Sequence, residues 1–162
     1  MQDETEPTYL HGFSRTEQAR LVKQARIAEP MIFRNIDYTG AKSLLEVGSG
    51  VGAQTEILQR RFPDPHVNCV DRNQVQLDTA AENLGAMPWL QGRYSLRQAD
   101  ATDLPFEARS FDAAFLCWVL EHVPSPTRVL AEMRRVLSPG SPVYITEVMN
   151  ASFLLDPYSP NV

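Results

Sequence analysis

Apolar and polar positions alternate along the chain between short strand-like runs and longer helix-like segments. The apolar runs predict buried strands at 44–47, 67–71, 111–117 and 143–148, and a less apolar run over 94–99 predicts another. Helix-like segments lie between them, at 53–61, 73–84 and 126–137. Because strands and helices alternate, the pattern predicts an α/β fold with a doubly wound parallel sheet and right-handed crossovers.

Capping residues mark several helix starts. Ser14 with Glu17 forms a capping box that predicts a helix over 14–28, and Asn73 with Gln76 does the same for the helix that ends near residue 84. Pro30 is placed at the start of a second short helix that runs toward Tyr38. The sheet is therefore expected to follow two N-terminal helices.

A glycine-rich turn follows the first predicted strand, in the segment S-L-L-E-V-G-S-G-V-G-A-Q at 43–54. Gly48, Gly50 and Gly52 stand at alternate positions, and Glu46 precedes the first of them by two residues. Glycine lets a ligand approach the backbone closely, and the following helix start offers free N–H groups. A pyrophosphate-binding turn would read G-x-G-x-x-G, with an apolar residue in place of Glu46. The turn therefore predicts a polar ligand other than a pyrophosphate, although a purely structural turn has the same glycines.

Acidic residues close the next two strands. Asp71 ends the strand at 67–71, and Asp100 follows the run at 94–99. Ligands of doubly wound sheets bind beyond the carboxyl ends of the strands, where an acid can accept hydrogen bonds from ribose hydroxyls. Each acid alone is also an ordinary turn residue. For Asp103, a turn or capping role is the better interpretation.

Composition limits the classes of function. The chain has 162 residues and a net charge of −5, which suits one domain, and its 15 basic residues form no run that would follow a nucleic acid backbone. The two cysteines, Cys69 and Cys117, lack metal-ligand spacing and suggest reduced thiols. The acidic N-terminus has no signal-peptide core, and no apolar run is long enough to span a membrane. We expect a cytoplasmic protein without metal, nucleic acid or membrane partners.

The motif E-V-G-S-G-V-G resembles the first signature of class I S-adenosylmethionine (SAM) dependent methyltransferases, E/D-x-G-x-G-x-G. With Asp71, Asp100 and S-F-D-A-A-F-L-C-W-V-L-E-H-V, the resemblance spans about 43–149 and is similar in style to small-molecule and quinone-type methyltransferases. It implies a Rossmann-like sheet of order 3-2-1-4-5 and a 43–149 SAM-binding domain between a 1–42 helical lid segment and a 150–162 tail. The reaction implied is S_N2 transfer of a methyl group from SAM to a small-molecule acceptor, leaving S-adenosylhomocysteine.

The resemblance also assigns site residues. Asp71 is implied to bind the ribose, Asp100 and the Ala101 amide the adenine, and Cys117 and Trp118 the methionine and sulfonium region. Arg72 stands where many relatives have an apolar residue against the adenine, and its guanidinium can stack there instead. Because histidines titrate near neutral pH, His122 is the candidate base, with Glu121 as its rival and a structural role as the alternative. The complete set of expected cofactor contacts is Tyr9, Glu46, Gly48, Ser49, Gly50, Gly52, Asp71, Arg72, Gln76, Asp100, Ala101, Cys117 and Trp118, with His11 as a further lid residue.

Two other classes of function stay open at this point. A non-catalytic SAM-binding fragment or regulatory domain would keep the same motifs, and a nucleotide-dependent oxidoreductase would share the sheet and Asp71. After the last predicted strand, relatives usually continue with an antiparallel hairpin, for which residues 150–162 are too few. We therefore expect either a truncated methyltransferase or a homodimer that pairs through the edge of the strand at 143–148.

Overall fold

The computed structural model describes residues 14–148. It contains four α-helices, five β-strands and two short 3₁₀ turns in this part of the chain. In chain order they are α1 Arg15–Ile32, β1 Ser43–Val47, α2 Ala53–Arg61, β2 His66–Asp71, α3 Gln74–Gly85, a 3₁₀ turn Pro88–Leu90, β3 Tyr94–Gln98, β4 Ala113–Cys117, a 3₁₀ turn Leu120–His122, α4 Pro126–Val136 and β5 Val143–Thr146.

The strands form one parallel sheet in the order β3-β2-β1-β4-β5. The central strand β1 pairs with both β2 and β4, so that Leu44 lies between Val67 and Ala113. This arrangement confirms the predicted α/β class and strand order. The change of direction beside β1 creates the crevice at the carboxyl ends of the strands where ligands of such folds bind.

Successive residues of β1 belong to different apolar clusters because side chains of a strand alternate between the two faces. Leu44 packs with Ala25 of α1 and Ile57 of α2. Leu45 instead packs with Val129 and Met133 of α4. Helices therefore cover both faces of the sheet, and successive residues of β1 and β4 are buried on either face, as expected for a doubly covered parallel sheet.

The prediction of a second helix from Pro30 was wrong. Helix α1 continues through Pro30 to Ile32, and Phe33 closes it by donating its N–H to the Glu29 carbonyl at 3.0 Å. Pro30 costs the helix one hydrogen bond, but it lies in the last turn. The buried Phe33 ring stacks on Phe115 with centroids 5.4 Å apart. Packing on the sheet therefore overrides the local stop signal.

The segment between α1 and β1 serves as a packed connection instead of a helix. Tyr38 is 2% exposed, and its hydroxyl donates to the Ala114 carbonyl at 2.8 Å. Burial raises the pKa of this phenol far above its usual range, so Tyr38 stays a neutral donor. One side-chain hydrogen bond thus links the N-terminal segment to β4.

Three predicted strands are shorter in the structure, β3 by one residue and β4 and β5 by two residues each. Strand β4 begins at Ala113, since the Asp112 carboxylate before it accepts from the backbone N–H groups of Lys42 and Ser43 at 2.9 and 3.0 Å. Strand β5 ends at Thr146, and the next residue, Glu147, uses its side chain to bond the loop after β4. In both cases a carboxylate replaces ladder hydrogen bonds at the strand end.

Strand β5 is an edge of the sheet within residues 14–148. Val143 and Ile145 are 40% and 42% exposed, although their positions in the pattern are apolar. No helix in the described part of the chain has the length and hydropathy that crossing a membrane would require. The expected lid contacts Tyr9 and His11 and the tail 150–162 lie outside the described residues.

Candidate cofactor site

The loops that follow β1, β2, β3 and β4 meet at one edge of the sheet. They carry, in order, the glycine turn at 48–52, Asp71, Asp100 and the segment 117–122. The parallel topology is the reason these distant residues come together, because all carboxyl ends lie on the same side.

The glycine turn has a backbone that only glycine adopts easily. Gly48, Gly50 and Gly52 have φ angles of +72°, +52° and +77°. The N–H groups of Gly48 and Ser49 donate to the Val70 carbonyl at 2.8 and 3.1 Å, which fixes the turn to β2. Gly52 is the N-cap of α2, so the free N–H groups of that helix start lie directly behind the turn.

The three glycines have different surroundings. A Cβ on Gly48 would overlap the Val119 side chain, and a Cβ on Gly52 would lie 2.9 Å from Leu84 Cδ1. At Gly50 no described atom would lie within 4 Å of such a Cβ. Two glycines therefore allow close packing inside the protein, whereas Gly50 faces open space at the sheet edge.

Asp71 ties the glycine turn to the start of α3. Its Oδ2 accepts from the Gly50 N–H and its Oδ1 from the Asn73 N–H, both at 2.9 Å. Burial raises the pKa of this carboxyl, and these backbone hydrogen bonds partly oppose the shift. A carboxylate oxygen accepts about two hydrogen bonds, so each oxygen retains capacity for one more donor. A ribose diol supplies two such donors.

Asp100 lies beside Asp71 at the end of the neighbouring strand. Its Oδ1 accepts from the backbone N–H and the hydroxyl of Thr102 at 2.8 and 2.7 Å, and these bonds lower the pKa of Asp100. The positive charge of the exposed Arg72 has a smaller lowering effect on the pKa of both acids. Asp100 is thus an ionised acceptor next to the open crevice.

Glu46 lies beneath the turn instead of facing the crevice. It is 2% exposed, and its Oε2 accepts from the Thr55 hydroxyl at 2.6 Å and from the Cys69 thiol at 3.5 Å. Burial raises the pKa of Glu46 to about 7. The carboxyl therefore joins β1, β2 and α2 directly under the glycine turn.

The loop after β4 closes the other side of the crevice. Gln54 Nε2 lies 3.8 Å from Cys117 Sγ, and burial raises the pKa of this thiol to about 12. Trp118 has a φ of +58°, a left-handed conformation that is rare for a bulky side chain. Its N–H donates to the Thr146 carbonyl at 2.8 Å. The backbone turns sharply at Trp118 and leads into the 3₁₀ turn Leu120–His122.

His122 and Glu121 are neighbours at the end of this turn. His122 Nε2 lies 3.6 Å from Glu121 Oε1, and the two side chains are 25% and 32% exposed. The His122 N–H donates to the Val119 carbonyl at 2.9 Å. Both side chains therefore reach solvent at the carboxyl end of β4, where the sequence placed a candidate base.

Gln76 lies away from the open side of the turn. It is 3% exposed, and its Oε1 lies 3.4 Å from Gln18 Nε2, which also donates to the Thr79 hydroxyl at 2.8 Å. The Gln76 backbone N–H donates to the N-cap side chain of Asn73 at 3.3 Å, as the capping pattern predicts. Its observed contacts join α1 to α3, and a cofactor contact for Gln76 stays a prediction.

Two buried polar atoms near the turn have no partner among residues 14–148. They are Ser49 Oγ and Gln54 Oε1. Buried polar atoms are nearly always hydrogen-bonded, so atoms of this kind beside a crevice suit a polar ligand. Ser49 is among the contacts that the sequence predicts. Gln54 is not, although its place in the first turn of α2 was a signal for it. Glu147 is also absent from the predicted set, and its contacts join β5 to the loop after β4.

These residues fit S-adenosylmethionine. Its ammonium, ribose and adenine amino groups are donors, and the crevice offers acceptors on Asp71, Asp100, Ser49 and Gln54. The backbone at Gly50 leaves open space, as a bound cofactor requires. In the described part of the chain, no group of three or more His, Cys, Asp and Glu side chains is arranged to hold a metal ion.

Comparison with known proteins identifies the family. A family model described as a methyltransferase domain matches residues 45–145, which includes the glycine turn, both acids and most of β5. The chain belongs to the class I SAM-dependent methyltransferase family. S-adenosylmethionine is therefore the cofactor of this domain.

Proteins similar to this methyltransferase domain have names that describe different activities. A demethylmenaquinone methyltransferase of Clavibacter sepedonicus is 29% identical over 136 residues, which is 84% of this chain and 53% of that protein. The solved structure of the [4+2]-cyclase SpnF is 28% identical, with a TM-score of 0.66 over 76% of this chain and 44% of that one. A SAM-dependent methyltransferase structure from Methanococcus maripaludis has a TM-score of 0.69 at 21% identity, over 88% and 67% of the two chains.

The chain spans only part of its relatives. It covers between 29% and 53% of the length of seven curated proteins that it matches. Those proteins thus contain residues with no counterpart in this alignment.

Proposed function

We propose that this protein transfers the methyl group of SAM to a small-molecule acceptor. The observation that carries the proposal is the group of acceptors around the open face of Gly50, formed by Asp71, Asp100, Ser49 Oγ and Gln54 Oε1. SAM supplies an electrophilic methyl group on a sulfonium with a good leaving group. The protein therefore needs mainly to hold and orient the reactants.

The described residues divide this task between the two sides of the crevice. Asp71 would accept from the ribose hydroxyls, and Asp100 from the adenine amino group. Ser49 and Gln54 would accept from the ammonium end, near Cys117 at the end of β4. The backbone at Trp118 then turns the chain so that His122 follows at the same edge. The acceptor molecule is expected between this turn and the open side of β5.

His122 is the proposed base for acceptors that lose a proton. Its side chain is one quarter exposed, and its Nε2 lies 3.6 Å from Glu121 Oε1 at the carboxyl end of β4. His122→Asn should lower turnover with such an acceptor while leaving affinity for S-adenosylhomocysteine unchanged. Equal turnover in the variant and the wild type would remove His122 from the mechanism.

Calorimetry with SAM, S-adenosylhomocysteine and NAD tests the cofactor part of the proposal. We expect binding of the first two ligands and none of NAD. Methyl-labelled SAM incubated with a metabolite extract then tests the transfer and reveals the acceptor through the labelled product. Binding of NAD alone would overturn the proposal.

A SAM-binding role without methyl transfer is the second candidate. It is favoured by the similar SpnF structure, which is named as a [4+2]-cyclase and not as a methyltransferase. Tight binding of SAM without labelling of any acceptor would favour this candidate over methyl transfer.

We also propose self-association through β5. Val143 and Ile145 are exposed, and the outer edge of β5 has no partner strand within residues 14–148. Both features are typical of strands that pair with another chain. Sedimentation that shows a monomer at high concentration would contradict this part of the proposal.

A further inference from the structure

The end of β5 holds three consecutive backbone amides of the loop after β4. The Trp118 N–H donates to the Thr146 carbonyl at 2.8 Å. Glu147 Oε1 accepts from the Val119 N–H at 3.0 Å and from the Leu120 N–H at 2.9 Å. These amides belong to a sharp turn, since Trp118 has a φ of +58°. Hydrogen bonds from outside the loop are needed to hold such a conformation.

Val119 connects this turn to the glycine turn across the crevice. A Cβ on Gly48 would overlap the Val119 side chain, which means that this side chain packs directly against the backbone of Gly48. The Gly48 N–H is bonded to Val70, which fixes the other partner of this contact. The position of Val119 therefore affects the glycine turn, and Glu147 sets the position of Val119.

The two carboxylate oxygens of Glu147 differ in their surroundings. Oε2 is buried and has no hydrogen-bond partner among residues 14–148. Burial of a carboxylate is costly when an oxygen is left unpartnered. Stability alone therefore does not explain the buried, unpartnered Oε2, whereas the Oε1 bonds define the loop that carries Trp118 and His122.

We propose that Glu147 is a positioning residue for cofactor binding. It acts through hydrogen bonds to Val119 and Leu120, which hold the loop after β4 against the glycine turn. The inference rests on the proposed function, in that the ligand held by this arrangement is SAM or S-adenosylhomocysteine.

Two substitutions separate the effect of the side-chain length of Glu147 from the effect of its charge. Glu147→Gln keeps the length and an acceptor oxygen but removes the charge, and it replaces the unpartnered Oε2 by another polar atom. Glu147→Asp keeps the charge but is one methylene shorter, so that it cannot reach both amides. Glu107→Gln, at an exposed acid in the loop between β3 and β4, is the matched control for loss of one negative charge.

Amide hydrogen exchange and Trp118 fluorescence report on the conformation of the loop after β4 in the absence of ligand. In a Trp89→Phe background, Trp118 is the only tryptophan. Glu147→Asp should speed exchange at Val119 and Leu120 at least tenfold and shift the Trp118 emission. Glu147→Gln and Glu107→Gln should leave both signals near those of the parent protein. If Glu147→Asp leaves exchange and emission unchanged, the proposal is overturned.

Calorimetry with S-adenosylhomocysteine measures how the same substitutions affect cofactor binding. We expect Glu147→Asp to weaken binding at least tenfold and Glu147→Gln to stay within about threefold of the wild type. If Glu147→Gln is weakened and Glu147→Asp is not, binding depends on the charge of Glu147 and not on its hydrogen bonds to the loop, and the positioning proposal is wrong. If the wild type binds no S-adenosylhomocysteine, the proposed function fails, whereas the exchange and fluorescence measurements still decide the role of Glu147 in the loop.

Discussion

Alanine substitutions at three glycines should separate backbone strain, packing and cofactor binding. Gly40, Gly48 and Gly50 all have positive φ angles, of +84°, +72° and +52°. A Cβ at Gly40 or Gly50 would meet no described atom within 4 Å, but at Gly48 it would overlap Val119. Gly40 lies before β1, away from the crevice. It therefore serves as the matched control for the conformational effect alone.

The expected losses in stability follow from these contacts. Alanine in the left-handed region costs roughly 1–2 kcal/mol, and the reduced entropy of the unfolded chain returns about 0.4–1 kcal/mol. Gly40→Ala and Gly50→Ala should therefore each lower the free energy of unfolding by about 1 kcal/mol. Gly48→Ala should cost about 1–3 kcal/mol more, because Val119 and the loop after β4 must move. Urea unfolding measures these differences.

Binding should follow a different order from stability. Gly50→Ala places a methyl group in the open space beside Asp71 and should weaken S-adenosylhomocysteine binding at least tenfold by calorimetry. Gly40→Ala should bind as the wild type does, although it is destabilised to the same extent. Wild-type affinity in Gly50→Ala would show that the open face of the turn does not hold the cofactor, and would refute the reasoning.

Three further predictions concern an acid of the crevice, the buried acid and the sheet edge. Asp71→Ala should weaken S-adenosylhomocysteine binding at least tenfold in calorimetry and lower the free energy of unfolding by about 1–3 kcal/mol, since two backbone N–H groups lose their acceptor; an unchanged affinity would contradict the ribose assignment. Burial raises the pKa of Glu46 from 4.5 to about 7, so the folded protein binds the proton of this carboxyl more tightly than the unfolded chain does. The resulting stabilisation of the folded state is complete below pH 4.5 and is lost as the pH rises through 7. Urea unfolding should therefore show wild-type stability falling by about 3 kcal/mol relative to Glu46→Gln between pH 4.5 and 8, and parallel pH profiles would refute this. Ile145→Lys should reduce self-association in sedimentation, and an unchanged oligomer would exclude the β5 edge as its interface.

Short-range patterns predicted most of the fold. Helix α2 has the predicted bounds because the glycine turn starts it and Pro63 and Pro65 follow its end. The strand order follows from the family resemblance and is confirmed. The helix expected from Pro30 failed, since the packing of Phe33 on Phe115 is a contact between distant segments that local pattern does not reveal.

The site was only partly predictable for the same reason. Gly50, Asp71 and Asp100 follow from motif spacing, and the structure brings them to one crevice. The buried position of Glu46 depends on Thr55 and Cys69, which belong to two other elements. Glu147 gave no signal, because its partners lie in a loop on a different strand and bond through the backbone.

The central place of β1 has a consequence for how the chain acquires its fold during synthesis. The partner of Leu44 in β2, Val67, is synthesised soon after it. The partner in β4, Ala113, is synthesised only after α2, β2, α3 and β3. Parallel pairing over such a separation is slow. Until β4 is made, one edge of β1 has no partner strand, and unpaired strand edges of this kind are prone to aggregate.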